Sequence, residues 1–580
     1  MQNLQNELIK ILEKDERFTK DGKLLKNNII EAALQLDPSL IKLLLSHKSI
    51  KTHFFKEIDN VFVFDKIEFQ KFVSNKSFLK DSYTAYSNKI GLTVDDEFIS
   101  EGKQVVLSWP YKDCVLEGGQ TKEDEIREEI FWNETLAPDE IDRLLSPKVF
   151  TNFEKYDIKG KHKVTDISFQ DNLIIKGNNL LSLHSLLPQY AEKINLIYID
   201  PPFNTGNDSF NYNDKFSTST WLTFMKNRLE VAKRLLTIDG NIFIHIDINH
   251  SHQLKIICDE IFYENNFVEE IIWSYGSPSG GRATTPKPVN IHDYILHYSK
   301  NYSLRKQNRV YTPYSEKYIK DWFKYKDSDG RIYQKRMRGK DEEGNSLWEK
   351  QYLDESNGIP LTTVWSDIKQ VYADPRAYKA NQAAHAELIR GFTGQKPEKL
   401  LQRIIEMSTD EKDIVLDYHL GTGTTSTVAL KLNRRFIGLE QLEYGKKDSV
   451  IRLKNTIKGN QTGISKEIKW QGGGSFIYCE LSKLNQYFVE KVTKSKNSKE
   501  LKQIWEIIKK DGFISYKINP KDIDNSITEF EELSLQDQRK FLIAVLDKNH
   551  LYVNYSEIED KDYKISEDDK KLNKKFYSLK

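Results

Sequence analysis

The chain has 580 residues, 30% of them charged and 38% hydrophobic, and its 87 basic residues balance 86 acidic ones. That length predicts three or four domains, and the near-zero net charge excludes a global basic field, so any nucleic-acid surface must be local. Cys114, Cys258 and Cys479 form no metal-ligand spacing or disulfide framework. No apolar run approaches the roughly 20 residues of a membrane span, and the charged start "MQNLQNELIKILEKDERF" has no signal core. A cytoplasmic, metal-free protein is expected.

Residues 1–150 read as a mainly helical accessory domain, with helical spacing in "NNIIEAALQLDPSLIKLLLSH" and "LAPDEIDRLLSPKVF". Over 151–274, the isoleucine-rich strands "KINLIYID" and "GNIFIHIDI" flank a helix that puts Trp221, Met225, Leu229, Ala232 and Leu236 on one face. Strand, helix, strand at this spacing predicts a parallel sheet. Residues 275–386 break the rhythm, opening on the loop-like "GSPSGGRATTPKPVN" and continuing with many aromatics and bases. The alternation resumes over 387–455: a helix through "EKLLQRIIEMS", a strand "DIVLDYHL", a Gly-Thr loop, a helix and a strand "RRFIGLE". A lysine-rich stretch of mixed pattern, 456–580, reads as an accessory or oligomerisation region.

Two strand ends carry chemistry. "LIYIDPPFNTG" runs an apolar strand into Asp200, Pro201, Pro202 and Phe203. Two prolines end a strand, but a bare turn needs no acid before them. An aspartate and a proline carbonyl can together receive both hydrogens of an exocyclic amine. That draws the nitrogen lone pair out of conjugation with its ring, and Phe203 offers a face to a flat heterocycle. The plainer alternative is a rigid turn over a buried phenylalanine. In "VLDYHLGTGTTSTVALKL" a strand ends in Asp417 and passes through Gly421 and Gly423 into a helix opened by Thr424 and Thr425. Such glycines let backbone amides approach a ligand, and the helix N-terminus favours an anionic group. Glu440, 23 residues after Asp417, ends the next strand, where an acid can hold a ribose diol. A structural Gly-x-Gly turn is the alternative; the acid at that offset favours a nucleoside site.

Asp-Pro-Pro-aromatic followed, after a long insert, by Asp-x-x-x-Gly-x-Gly-Thr-Thr resembles the amino-methyltransferases of DNA, in the order of their beta class. Six stretches are similar to the modification subunit of type III restriction-modification systems: "PYKDCVLEGGQTKEDEIREEIFWNETLAPDEIDRLLSPKVF", "IIKGNNLLSLHSL", "IYIDPPFNTGND", "GFTGQKPEKLLQRII", "LDYHLGTGTT" and "FIGLEQLEYG". The resemblance spans about 105–480. It implies a doubly wound, mostly parallel Rossmann-like α/β sheet with an inserted target-recognition domain and helical accessory regions. It also implies S-adenosylmethionine as cofactor and methylation of the exocyclic amine of adenine (N6) in double-stranded DNA.

Carried onto this chain, Asp200 would accept from the amine, the Pro201–Pro202 segment would offer a carbonyl, and Phe203 would stack on the flipped base. Asp417, His419, Gly421, Gly423 and Thr424 would line the cofactor loop, with Glu440 on the ribose. Lys396 and Asn178 match positions bordering the cofactor pocket, against readings as an exposed lysine and a turn asparagine. Phe203 replaces the commoner tyrosine, His419 stands where many relatives carry phenylalanine, and Asn178 where aspartate is frequent. Asp247, ending "FIHID", either borders the pocket or caps a strand end. Five bases in ten residues, Arg331, Lys335, Arg336, Arg338 and Lys340, predict DNA contact through phosphates or guanine edges, against a solvated charged hairpin. The family pattern implies a homodimer and a separate helicase-nuclease restriction subunit; this sequence has no Gly-x-x-x-x-Gly-Lys-Ser/Thr phosphate loop. Methylation of the cytosine exocyclic amine and a non-catalytic DNA-binding specificity subunit are the alternatives.

Overall fold

The computed structural model describes residues 143–204, 218–275, 288–371, 394–442, 448–515 and 518–579, with parts of 7–98. The chain divides into two compact units, Met1–Asp113 with Ile130–Asp142, and Cys114–Glu129 with Arg143–Lys580. In the first, helices Lys26–Leu34, Pro38–Leu45, Lys48–Phe54 and Lys66–Ser74 gather Leu40, Leu44, Ile50, Phe54 and Phe69 into a core. The break after Leu34 is local chemistry: Leu36 takes a positive φ, and the Asp37 carboxylate accepts from the amides of Ser39 and Leu40, with Pro38 in the first turn. A hairpin, Phe55–Ile58 with Val61–Phe64, joins these helices.

The second unit is built on an eleven-stranded mixed sheet. Its elements in chain order begin with β1 (Phe150–Asp157), β2 (Gly160–Lys163), β3 (Leu173–Lys176), α1 (Asn179–Tyr190) and β4 (Ile194–Ile199). Next come α2 (Thr218–Leu235), β5 (Leu236–Ile246), α3 (Ser251–Phe262), β6 (Phe267–Ser274) and β7 (His292–Ser299). A small three-stranded sheet follows, made of β8 (Tyr325–Lys326), β9 (Ile332–Lys340) and β10 (Ser346–Tyr352). The large sheet resumes with β11 (Val364–Trp365), α4 (Glu398–Ser408), β12 (Ile414–Asp417), α5 (Thr424–Lys431), β13 (Arg435–Glu440), α6 (Ser449–Ile457) and β14 (Phe476–Leu481). The spatial order is β11-β6-β7-β5-β4-β12-β13-β3-β14-β1-β2, parallel from β5 through to β14 and antiparallel at β7 and β1.

The central strands read as unbroken apolar runs because both faces are covered; Leu196, Ile197, Tyr198, Ile199, Val415 and Leu416 are all buried. Trp221, Met225, Leu229, Ala232 and Leu236 are all solvent-inaccessible as the helical spacing predicts, although Leu236 already opens β5. β4 and β12 lie side by side and parallel, with Leu196 opposite Val415. From β4 the chain winds outward to β5, and from β12 it winds the other way to β13. The strand order therefore reverses between them, and open α/β sheets bind ligands at the carboxyl ends of such a pair.

Three segments are placed differently from the sequence reading. Of "LAPDEIDRLLSPKVF", expected as helix, residues 136–142 lie outside the described residues, and Phe150 opens β1 of the large sheet. The insert expected over 275–386 contributes β7 and β11 to that sheet, since "YILHYS" is buried from Ile295 to Ser299. The region beyond 456 supplies β14, whose "FIYCEL" buries Phe476, Ile477, Cys479 and Leu481 between β3 and β1. The rest of that region forms a helical cluster around Trp505, Ile508, Phe530 and Leu542.

Candidate active site

β4 delivers Asp200 and Phe203 to the carboxyl edge of the sheet. Lys396 Nζ donates to both carboxylate oxygens of Asp200, at 2.8 and 2.7 Å, and lies 5.0 Å from the centre of the Phe203 ring. The sequence reading put Lys396 at the cofactor; the fold brings it, from 196 residues away, onto the catalytic candidate. Trp221 Nε1 donates to the Pro202 carbonyl at 2.7 Å, which pins the turn and takes one of that oxygen's two lone pairs. Of the two proline carbonyls, Pro201's has no such partner among the described residues to share with the second amine hydrogen. Phe203 packs on the buried ring of His245, 5.8 Å between centroids and 19° between planes.

The other half-site is made from backbone. Asp417, buried at the end of β12, accepts from the His419 amide at 2.9 Å and from Thr425 Oγ1 at 2.6 Å, tying the strand end to the start of α5. Glu440, ending β13, accepts from the Gly421 amide at 2.7 Å with one oxygen and from the Leu442 amide at 2.8 Å with the other. Burial pushes both acids up, each to about 7, against the pull of these hydrogen bonds; for Asp417 the charges of Asp200 and Glu440 add to the rise. Gly421 and Gly423 both sit at positive φ, and a Cβ on Gly423 would come within 2.8 Å of Ser449 Cβ. The loop is thus a glycine-only cradle. Each carboxylate oxygen carries two lone pairs, so Glu440 keeps acceptor capacity after its two amides, as a ribose diol requires.

The remaining sequence candidates make bonds within the fold. The Thr424 hydroxyl accepts from Arg452 Nη1 at 2.7 Å, and Arg452 in turn donates to buried Glu398, which also pairs with Lys431 at 2.6 Å. Asn178 caps α1 through Leu181 N at 3.2 Å, beside Glu440's carbonyl, which accepts from Gly177 N. Asp247 receives the amide and side chain of Asn249, the capping reading. His419 packs its ring 5.7 Å from Phe224, and burial drives its pKa well down. Among the described residues no cluster of His, Cys, Asp or Glu could hold a metal ion, and no helix is long and apolar enough to cross a membrane.

The basic run lies on the exposed β9–β10 hairpin, but its charge is largely answered there. Arg331 makes a two-bond pair with Asp354 at 2.9 Å and reaches Glu355, and Arg338 pairs with Glu349. Residues 331–355 hold six basic and six acidic side chains, so the ten-residue window overstated the field. Arg336 and Lys340 form no ion pair among the described residues. Lys335 lies 4.8 Å over Tyr325 and Lys350 4.9 Å over Tyr333, with Met337 and Trp348 exposed opposite each other.

Residues 194–450 match the family described as "DNA methylase", and residues 37–92 the family described as "Type III restriction/modification enzyme methylation subunit". The chain is 33% identical to the probable type III restriction-modification enzyme HindVI Mod subunit of Haemophilus influenzae, over 99% of this chain and 98% of that one. The chain belongs to the modification subunits of type III restriction-modification enzymes. It is a DNA methyltransferase of the S-adenosylmethionine-dependent class. The EcoP15I Mod subunit of Escherichia coli is 30% identical over 46% of this chain and 56% of its own. Among solved structures, the putative DNA modification methylase TTHA0409 of Thermus thermophilus, complexed with S-adenosyl-L-methionine, is 15% identical over 50% of this chain and 97% of that one, with a TM-score of 0.29. The cytosine-N4-specific PvuII DNA methyltransferase is 15% identical over 47% and 82%, with a TM-score of 0.30.

Proposed function

We propose that this chain methylates the exocyclic amine of adenine at a specific site in duplex DNA. The observation that carries this reading is the adjacency of β4 and β12 at the point where the strand order reverses, with Asp200 and Phe203 on one strand end and the Glu440-bound glycine loop beside the other. S-adenosylmethionine, when bound, supplies an electrophilic methyl group. Glu440 would take the ribose diol, and the Gly421–Gly423 turn would let the cofactor approach the backbone. Asp200 and the Pro201 carbonyl would accept the two amine hydrogens, freeing the nitrogen lone pair from the ring. Phe203 stacks on the extruded base, which must leave the duplex to be reached. Lys396 fixes both oxygens of Asp200 and balances its charge in a partly buried setting.

Aspartate before the prolines favours adenine over cytosine. Sequencing DNA from a methylation-free host expressing the chain reads base, strand and site together; methylated adenine at one short sequence is the expected result, and methylated cytosine overturns the base assignment. Recognition is assigned to the insert carrying the β9–β10 hairpin. A homodimer that methylates without nucleotide triphosphate, and that cleaves only with a separate helicase-nuclease chain, completes the reading. Light scattering showing a fully active monomer removes the dimer.

A further inference from the structure

His245, at the end of β5, is fully buried and bonded at both ring nitrogens. Nδ1 lies 3.0 Å from the Tyr198 hydroxyl and Nε2 3.0 Å from Asp293 Oδ2 on β7. Burial first, and the charge of Lys396 second, hold the imidazole below its ordinary pKa, so the ring is neutral. Burial pushes Asp293 up, but the hydrogen bond from His245 and the nearby charge of Lys396 outweigh it and keep the group a carboxylate. A carboxylate only accepts, so its partner nitrogen must carry the proton: Nε2–H donates to Asp293, and Nδ1 accepts from Tyr198. With both nitrogens engaged the ring cannot turn without breaking a bond. Its edge meets Trp273 (5.5 Å, 86°), whose Nε1 donates to the Ile368 carbonyl at 2.8 Å, and its face lies against Phe203.

We infer that His245, locked by Asp293 and Tyr198, is a positioning residue that sets the plane of Phe203 for the incoming base. Phe203 follows two prolines on a chain that is leaving the sheet, and its ring needs a backstop if the base is to find it already oriented. Asp293 acts one step further back, by fixing which imidazole nitrogen carries the proton. This rests on Phe203 being the stacking platform proposed above.

The test is a double-mutant cycle of Asp293→Asn and Phe203→Ala. It reads kcat on adenine DNA, the fluorescence of 2-aminopurine placed at the target, and S-adenosylmethionine affinity by calorimetry. Asp293→Asn is nearly isosteric and tests the lock even where His245→Leu fails to fold. In the native background it should lower kcat, by up to the roughly 10²-fold that a 1 Å misplacement can cost, leave cofactor affinity unchanged, and brighten the probe as stacking loosens. On the Phe203→Ala background it should change kcat less than about twofold, because the residue it acts through is gone. Equal losses in both backgrounds, or native kcat in Asp293→Asn, overturn the positioning role. Native activity in Phe203→Ala alone overturns the platform itself, and the two failures are thereby told apart.

Discussion

At the end of β4 the working groups are side chains in contact with one another: Asp200 under Lys396, and Phe203 against His245. At the ends of β12 and β13 they are backbone amides gathered by two acids, Asp417 and Glu440. The first arrangement can exchange partners, since a lysine can share a carboxylate with an arriving amine. The second cannot give way without unmaking a turn, because each acid holds an amide of the loop itself. On the proposed reading, reaction falls on adjustable side chains and binding on a fixed frame, one strand apart.

The sharpest way to break this comparison is to remove the reacting acid. Asp200→Ala should cut methyl transfer at least about 10²- to 10³-fold, the scale for losing one preorganised polar group, while calorimetry gives unchanged cofactor affinity. A parallel fall in affinity would mean that the two halves are not separable. Next is Glu440→Gln, which should weaken S-adenosylmethionine binding by about 1.5–3 kcal/mol for each charge-assisted bond removed.

The same acid gives a pH signature. Glu440 sits at about 7, and the diol needs its carboxylate form, so binding ionised Glu440 releases a proton below that pKa. Cofactor affinity should therefore rise with pH up to about 7, by as much as about tenfold per unit, and level off above it. Glu440→Gln should flatten the rise; a slope that survives belongs to another group.

Phe203 then tests stacking against hydroxyl chemistry. Phe203→Tyr should keep most activity and Phe203→Ala lose about 1–3 kcal/mol of base stacking; alanine as active as tyrosine removes the role. The smallest effect is on the hairpin. Changing Arg336 and Lys340 together to alanine should lower the salt slope of DNA binding by up to about 0.9 for each phosphate no longer neutralised. Arg331→Ala should do less, since Asp354 and Glu355 already answer that charge. Equal slopes for the two variants would show those pairs opening on DNA.

The sequence made the strand-end motifs legible because each combines a backbone constraint, proline or glycine, with an acid at a fixed offset. It also exposed the parallel core, whose apolar runs and helix face fix which strands are buried. Lys396 on Asp200 was not legible, nor His245 between Tyr198 and Asp293, because those contacts depend on tertiary placement rather than on spacing along the chain. That Thr424 also accepts from Arg452, and that Asn178 also caps a helix, is likewise set by the fold and not by spacing. On the hairpin, a ten-residue window shows the bases without their partners: acids at 341–343, 349, 354 and 355 follow, and Glu349, Asp354 and Glu355 pair with Arg338 and Arg331.

β14 has a consequence for synthesis. It pairs with β3 across some 300 residues, Ile477 beside Leu173 and Glu480 beside Lys176. β3 in turn flanks β13, which ends in Glu440. A nascent chain halted after α6 would therefore hold both motifs yet leave β3 an open edge, the kind of edge that invites pairing with other chains. So long-range a closure is also slow to form. Premature termination or proteolysis in the tail should thus yield aggregates rather than a smaller enzyme.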